Sequence, residues 1–222
     1  MSTRVKICGI KTETALDAAL EAGADYVGLV FFASSPRNVD LATAGSLYRR
    51  AHERSRAAVV ALLVDPDDDL LGKVTGEVEP DLIQLHGRET PERVRAIRAK
   101  FGRPIMKAVS VATRADVSAA SSYLDAGAAA DIILFDAKPP PDPAALPGGN
   151  GLMFDWHILD AVPEGQPFAL AGGLDPDNVA AAIRLTGAGI VDVSSGVESA
   201  PGIKDRALIR RFIRAAKGAM EA

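Results

Sequence analysis

The sequence predicts a (β/α)8 barrel of parallel strands, with residues 1–222 forming one domain. Three observations carry that expectation. Short apolar runs alternate with helical periods eight times along the chain. Several of those runs have no polar face, as strands covered on both sides require. Small, flexible residues follow the last two runs, where barrels of this kind hold anions. Alternation of strand and helix implies parallel strands with helical crossovers. Eight units within 222 residues lie near the short end for this architecture, so short loops and no inserted domain are expected. An open, doubly wound sheet is the competing arrangement, and it gives no reason for an anion site after the last two strands.

The first strand covers residues 5–8, with Lys6 and Cys8 facing one way and Val5 and Ile7 the other. Gly9 breaks it, and Thr12 can cap a helix whose apolar residues Ala15, Leu16, Ala19 and Leu20 recur at a helical period until Gly23. Residues 26–32 form a continuous apolar strand, followed by the loop 33–38 and a helix from about 41 to 54. Residues 57–64 are the third strand, ending in Asp65-Pro66, with a helix from about Asp68. Residues 81–85 are the fourth, leading into His86-Gly87. Thr90-Pro91-Glu92 is a helix start, with an N-cap candidate and proline in the first helical position, and Gly102 is its stop.

Residues 104–109 form the fifth strand and 113–124 its helix. The sixth strand, 132–135, ends in Asp136-Ala137-Lys138 and opens into the one long irregular stretch, 139–151, crowded with Pro and Gly. A short helix begins near Asp155. Residues 168–171 are the seventh strand, then Gly172-Gly173 and a helix signalled by Asp175-Pro176. Residues 190–193 are the eighth, then Ser194-Ser195-Gly196 and an amphipathic helix from about Asp205. Eight strands and eight helical segments are thus expected to alternate without interruption.

Composition narrows the function classes. With 48% hydrophobic and 24% charged residues, the chain can bury a substantial core. No run is long and apolar enough to span a bilayer, and no secretory signal is expected. Cys8 is the only cysteine, so internal disulfides and a Cys-rich metal site are excluded, which suits a reducing cytoplasm. A net charge of −4 argues against nucleic acid or an anionic membrane as partner, and 5% aromatics against base stacking.

The candidate site residues lie at the carboxyl ends of the strands. Gly172-Gly173 and Ser195-Gly196 offer closely approachable backbone N–H groups for a phosphate. Asp136 shares parity with Ile132 and Leu134, so it should point into the barrel mouth unless it caps a helix or pairs with Lys138. Cys8, at the tip of strand one, would face it across a ligand. A lone cysteine is most simply a small buried hydrophobe. Opposite an acid, it becomes a candidate base, but only as thiolate; a free thiol titrates near about 8.5, so a positive neighbour is required. Lys6 and Lys107 are the candidates, though either could belong to a charge cluster lower in the barrel. Arg37 is suited to gripping a carboxylate through two parallel hydrogen bonds, or is an exposed loop arginine. His86 could line the pocket or cap a turn. His52 and His157 read as ordinary helical residues, and three such dispersed histidines make no metal site. The 67–69 acidic run suits a helix start, and 139–151 is expected to act as a mobile lid.

These stretches together resemble the phosphoribosylanthranilate isomerase family. The matching residues are VKICGIKT (5–12), YVGLVF with SPRNV (26–39), QLHG (84–87), FDAK (135–138), GGNG with FDW (148–156), LAGGLDPDNV (170–179) and VDVSSGVESAPGIKD (191–205). The one departure is Asn150, where the family more often has a small hydroxyl residue. The resemblance implies an Amadori rearrangement in tryptophan biosynthesis, turning N-(5'-phosphoribosyl)anthranilate into 1-(2-carboxyphenylamino)-1-deoxyribulose 5-phosphate. It implies Asp136 as the acid that protonates the ribose ring oxygen, Cys8 as the base that takes the C2 proton, Arg37 for the anthranilate carboxylate and the two late loops for phosphate. It calls for no metal or organic cofactor. It leaves a small phosphorylated molecule as the partner, with association with neighbouring pathway enzymes allowed. The related histidine-pathway isomerase uses carboxylates as both acid and base, so Cys8 speaks against it. A non-catalytic phosphate-binding barrel would need the loops but neither Cys8 nor Asp136.

Overall fold

In the computed structural model, which describes residues 3–124, 129–140 and 146–220, eight parallel strands close into a ring. They are β1 (Arg4–Cys8), β2 (Tyr26–Phe31), β3 (Ala58–Leu63), β4 (Leu82–Leu85), β5 (Ile105–Val111), β6 (Ile132–Ala137), β7 (Ala169–Leu170) and β8 (Ile190–Val193). They pair in chain order, and β8 returns to β1 with Lys6 opposite Asp192. Closure excludes the open sheet.

Alternation along each strand sorts the side chains into two cores. Tyr26, Val60, Leu82, Met106, Leu134 and Ile190 fill the barrel interior. Their neighbours in sequence, such as Val27, Val59, Ile83 and Val191, face outward and pack in the larger core. That outer core lies under α1 (Glu13–Glu21), α2 (Leu41–Arg54), α3 (Asp68–Glu77), α4 (Pro91–Phe101), α5 (Arg114–Ala119), α6 (Val179–Thr186) and α7 (Arg206–Lys217). Among the described residues, no helix is long and apolar enough to cross a membrane.

Helix ends follow the local chemistry. Thr12, Asp40, Asp67, Thr90, Thr113 and Asp205 each accept a hydrogen bond from a backbone N–H of the first turn that would otherwise go unsatisfied. Gly102 ends α4 at φ 63°, the left-handed region that glycine enters without a Cβ penalty.

Three features depart from the expected alternation. The helix expected over 113–124 is α only to Ala119 and continues as a 3₁₀ turn over Ala120–Tyr123. The sixth crossover carries a 3₁₀ helix, Trp156–Ala161, in place of an α-helix. After β8 the chain makes a small antiparallel hairpin, β9 (Glu198–Ala200) with β10 (Ile203–Lys204), before α7. Of the expected lid, residues 141–145 lie outside the described residues.

Strand parity also settles the two candidate lysines. Lys6 points inward and is fully buried. Lys107 sits between Met106 and Ala108, both of the inner core, and therefore faces outward. Its ammonium donates to the Gly87 carbonyl at 2.7 Å and to Glu89 at 2.8 Å, and lies over the Tyr123 ring. Lys107 is thus not a neighbour of Cys8; it joins β5 to the loop after β4. Both ends of the Lys107–Glu89 pair are 2% exposed. Removing one partner strands the other charge in a dry site, so Lys107→Met should cost about 3–5 kcal/mol. The urea midpoint should fall accordingly, while the alkylation rate of Cys8 stays at the wild-type value.

Candidate active site

At the carboxyl ends of the strands lies a cavity partly open to solvent. Its wall brings together Cys8, Arg37, His86, Asp136, Gly172, Gly173 and Ser195. Gly196 is not on the wall. A Cβ there would collide with the Leu174 carbonyl, so its smallness lets the loops after β7 and β8 touch.

Cys8 ends β1 and is 4% exposed. It shares its side of the barrel with Lys6, because the two are two residues apart in a strand. Gly28, its register partner on β2, makes room for both: a Cβ would come within 2.8 Å of the thiol sulfur and 3.3 Å of the Lys6 ammonium. Lys6 Nζ donates to Asp192 Oδ2 at 2.8 Å and borders the same Gly28 space as the Cys8 thiol. Burial works to lower the Lys6 pKa, but the facing Asp192 and Cys8 outweigh it and hold the ammonium above its ordinary value. For Cys8 the balance differs. Burial pushes the thiol up, Lys6 and Lys204 pull it down, Asp192 pushes it up further, and the result lies above the ordinary range. The positive neighbour that a thiolate requires is present, yet Cys8 rests as a thiol.

Across the cavity, Asp136 lies inside β6, with Oδ1 accepting the Ala137 N–H at 2.9 Å. Its Oδ2 is 3.1 Å from His86 Nε2, and His86 Nδ1 is 3.0 Å from the Gln84 side-chain nitrogen. The Gln84 amide and the Asp136 carboxyl group thus hold the two ring nitrogens of His86 between them. Gln84 Oε1 is buried without a partner.

Arg37 is 6% exposed, which excludes the exposed loop arginine. Gly9, at φ 80°, makes way for its stem: a Cβ there would lie 2.7 Å from Arg37 Cδ. The guanidinium donates Nε to Glu198 Oε1 and Nη2 to Glu198 Oε2, each at 2.8 Å.

Two glycines before Met153 carry the far wall. Gly148 crosses His86 and Asp136 so closely that a Cβ would sit 2.7 Å from His86 Nε2 and 2.9 Å from Asp136 Oδ2. Gly149 crosses Arg37 in the same way. Asn150 donates to the Leu146 carbonyl at 2.8 Å and so closes this segment on itself. Gly172, at φ 87°, lies against the Ala137 N–H. The other two histidines are outside the site: His52 stacks on Tyr48 and meets Asp81, and His157 pairs with Asp155.

Asp192, Glu198, Lys204 and Gln84 are the residues that sequence reasoning missed. All four carried a signal. Asp192 in IVDV and Gln84 in LIQL are polar residues at inward positions of otherwise apolar strands, where burial is costly without a partner. Glu198 and Lys204 lie in a stretch matched to the family but given no role.

The chain is similar to known proteins over nearly its whole length. Residues 5–215 match the family model described as N-(5'phosphoribosyl)anthranilate (PRA) isomerase. The N-(5'-phosphoribosyl)anthranilate isomerase of Paramagnetospirillum magneticum is 57% identical over 98% of this chain and 99% of its own. That of Rhodopseudomonas palustris is 56% identical over 98% and 97%. Among solved structures, phosphoribosyl anthranilate isomerase from Thermotoga maritima superposes with TM-score 0.83 at 34% identity, covering 97% of this chain and 99% of that one. A phosphoribosyl anthranilate isomerase in complex with reduced 1-(o-carboxyphenylamino)-1-deoxyribulose 5-phosphate superposes with TM-score 0.80 at 32% identity, covering 97% and 99%.

The environment of Cys8 predicts its reactivity. Because the folded protein favours the thiol, the iodoacetamide alkylation rate should climb with pH to a midpoint above that of an unstructured cysteine peptide. Lys6→Met removes the main group favouring the thiolate and should push that midpoint higher still. A midpoint below the peptide's would contradict the burial argument.

Proposed function

The chain belongs to the N-(5'-phosphoribosyl)anthranilate isomerase family, an aldose-to-ketose isomerase of tryptophan biosynthesis, and we propose that it works with Cys8 as base and Asp136 as acid. The observation that carries this reading is the pair itself: a thiol beside a buried ammonium and a carboxyl group beside an imidazole line one cavity.

In the proposed sequence, Asp136 gives its proton to the ribose ring oxygen as the C1–O bond breaks, and the nitrogen lone pair forms the C1=N bond of an iminium. The Cys8 thiolate then takes the C2 proton, and the C2–H electrons move toward C1=N to give an enolamine. Loss of the 2-hydroxyl proton and protonation at C1 yield the ketone. The substrate nitrogen is the electron sink throughout. The 2-hydroxyl proton returns to Asp136 and the proton taken by Cys8 is delivered to C1, so both groups end as they began, while His86 holds the Asp136 carboxyl group in place. Asp192 Oδ1, buried and unpartnered at the cavity wall, is a free acceptor for a donor on the ligand.

Binding follows the same wall. Arg37 receives the anthranilate carboxylate, and the loops holding Gly172, Gly173, Ser195 and Gly196 receive the phosphate through backbone N–H groups. The substrate class, a small phosphorylated molecule, has a counterpart in the ligand of the related complex. We read residues 1–222 as one catalytic unit, and a cytoplasmic location suits an enzyme whose only cysteine must stay reduced.

Cys8→Ala and Asp136→Asn should each lower turnover by at least about a hundredfold, the scale of a lost acid or base. The assay is the loss of substrate fluorescence with purified protein, and titration with the reduced product analogue should show binding near wild type. Wild-type turnover in both variants would refute the assigned roles and favour a non-catalytic binding barrel. A parallel assay with the histidine-pathway aminoaldose tests the other rival.

A further inference from the structure

Resting on Arg37 as receptor of the ligand carboxylate, we propose that Glu198 is a positioning residue that decides which edge of the Arg37 guanidinium faces the cavity. The hairpin β9–β10 exists in the site to hold it there.

Three observations converge on Glu198. The first is saturation of its carboxylate. Oε1 accepts from Arg37 Nε and Lys204 Nζ at 2.8 Å each. Oε2 accepts from Arg37 Nη2 at 2.8 Å and from the Gly202 N–H at 3.1 Å. A carboxylate has about four acceptor sites, so all are occupied and the group has no freedom to turn. The side-chain donors to Glu198 and the Gly202 turn come from three places: the loop after β2, β10 and the hairpin turn itself. Gly202, at φ 78°, packs on the Pro36 carbonyl, so the hairpin is seated directly against the loop that carries Arg37.

The second is the edge left over. A guanidinium has five N–H donors in a planar fork. Glu198 takes the Nε side, which leaves the two Nη1 hydrogens and one on Nη2. These form a second fork at the end of the side chain, suited to another carboxylate. That end faces the 146–151 segment: Nη1 lies 2.6 Å from where a Gly149 Cβ would stand, and Nη2 donates a long 3.4 Å hydrogen bond to the Gly149 carbonyl, the one protein contact among the described residues that a ligand carboxylate on this fork would replace. Without Glu198 the guanidinium could rotate and present its Nε side, and the two edges aim in different directions.

The third is charge. Lys6–Asp192 and Lys107–Glu89 are buried one-to-one pairs. Here two cations, Arg37 and Lys204, share one anion, with all three side chains at most 7% exposed. Burial pulls the Lys204 pKa below its ordinary value against the pull of Glu198, and while Lys204 holds its proton the cluster carries one positive charge more than Glu198 neutralises. A ligand carboxylate on the outer Arg37 fork supplies the missing negative charge. Lys204 also donates to Ser194, whose hydroxyl donates to the Cys8 carbonyl at 3.2 Å. The carboxylate clamp and the tip of β1 are therefore held by one continuous network.

Glu198→Asp tests the aim of the fork at constant charge, because the side chain is one methylene too short to hold all four donors. KM for phosphoribosylanthranilate should rise about tenfold, the worth of one charge-assisted hydrogen bond, with kcat within about twofold of wild type. The inhibition constant of inorganic phosphate should not change. A wild-type KM would overturn the proposal, and so would a parallel weakening of phosphate, which marks general loosening. Arg37→Ala separates the two ideas. If it leaves KM unchanged, the reading of Arg37 itself fails; if it raises KM while Glu198→Asp does not, only the role of Glu198 fails. A measurement on the unaltered protein completes the test. In a crystal structure with the reduced product analogue, the two 2.8 Å contacts to Glu198 should persist while the ligand carboxylate lies on Nη1 and Nη2. Arg37 swung away from Glu198 toward the ligand would overturn it.

Discussion

Closing eight strands into a ring leaves no free edge, and the strand period of two then forces every side chain either into the barrel or out toward the helices. At the seam, where the last strand meets the first, the inward positions are Lys6 and Asp192, joined by a 2.8 Å ion pair. Taking two such charges out of water costs several kcal/mol each, repaid only when they meet in good geometry. Hydrophobic residues of the same volume would seal the seam at lower cost. The ion pair makes sense as part of the site above it: Cys8 is the next inward residue on β1, and Gly28 leaves the space that both side chains use.

From the seam outward, the site is organised by shared anchors. Glu198 holds Arg37 and Lys204, Lys204 holds Ser194, and Ser194 reaches the Cys8 carbonyl. On the opposite side, Gln84, His86 and Asp136 form a second chain, and Gly148 runs against its end. Cys8 and Asp136 are thus each held by fixed neighbours, some of which share the cavity wall with them, the condition for a site that loses little energy in reorganising.

The barrel was legible because its signals are local. Apolar runs, caps such as Thr12 and Thr90-Pro91, and the stop at Gly102 sit where α1 and α4 begin and end. Cys8 and Asp136 were legible through strand parity and position at the strand tips. The hairpin was not, since SAPGIK reads as a plain loop and its strands are only three and two residues long. The partners of Arg37 and Lys6 were hidden for a different reason: they lie 161 and 186 residues away in sequence and meet only after the ring closes. Lys107 was ambiguous until Met106 and Ala108 were known to face inward.

Under the proposed role of Cys8 as base, its raised thiol can look like a fault, because the thiolate is then the minority form. The opposing consideration is base strength. A thiolate with a higher pKa takes a carbon-bound proton with more driving force, and the loss in population and gain in strength partly cancel. Dryness at Cys8 supplies the strength, and Lys6 limits the loss of population by favouring the charged form. Asp192 holds Lys6 charged, while its own negative charge acts against the thiolate. The three residues therefore work as one unit, with two carrying opposite charges so that the third can exchange a proton. That requirement accounts for a buried lysine and aspartate in a layer where apolar side chains would pack at less cost.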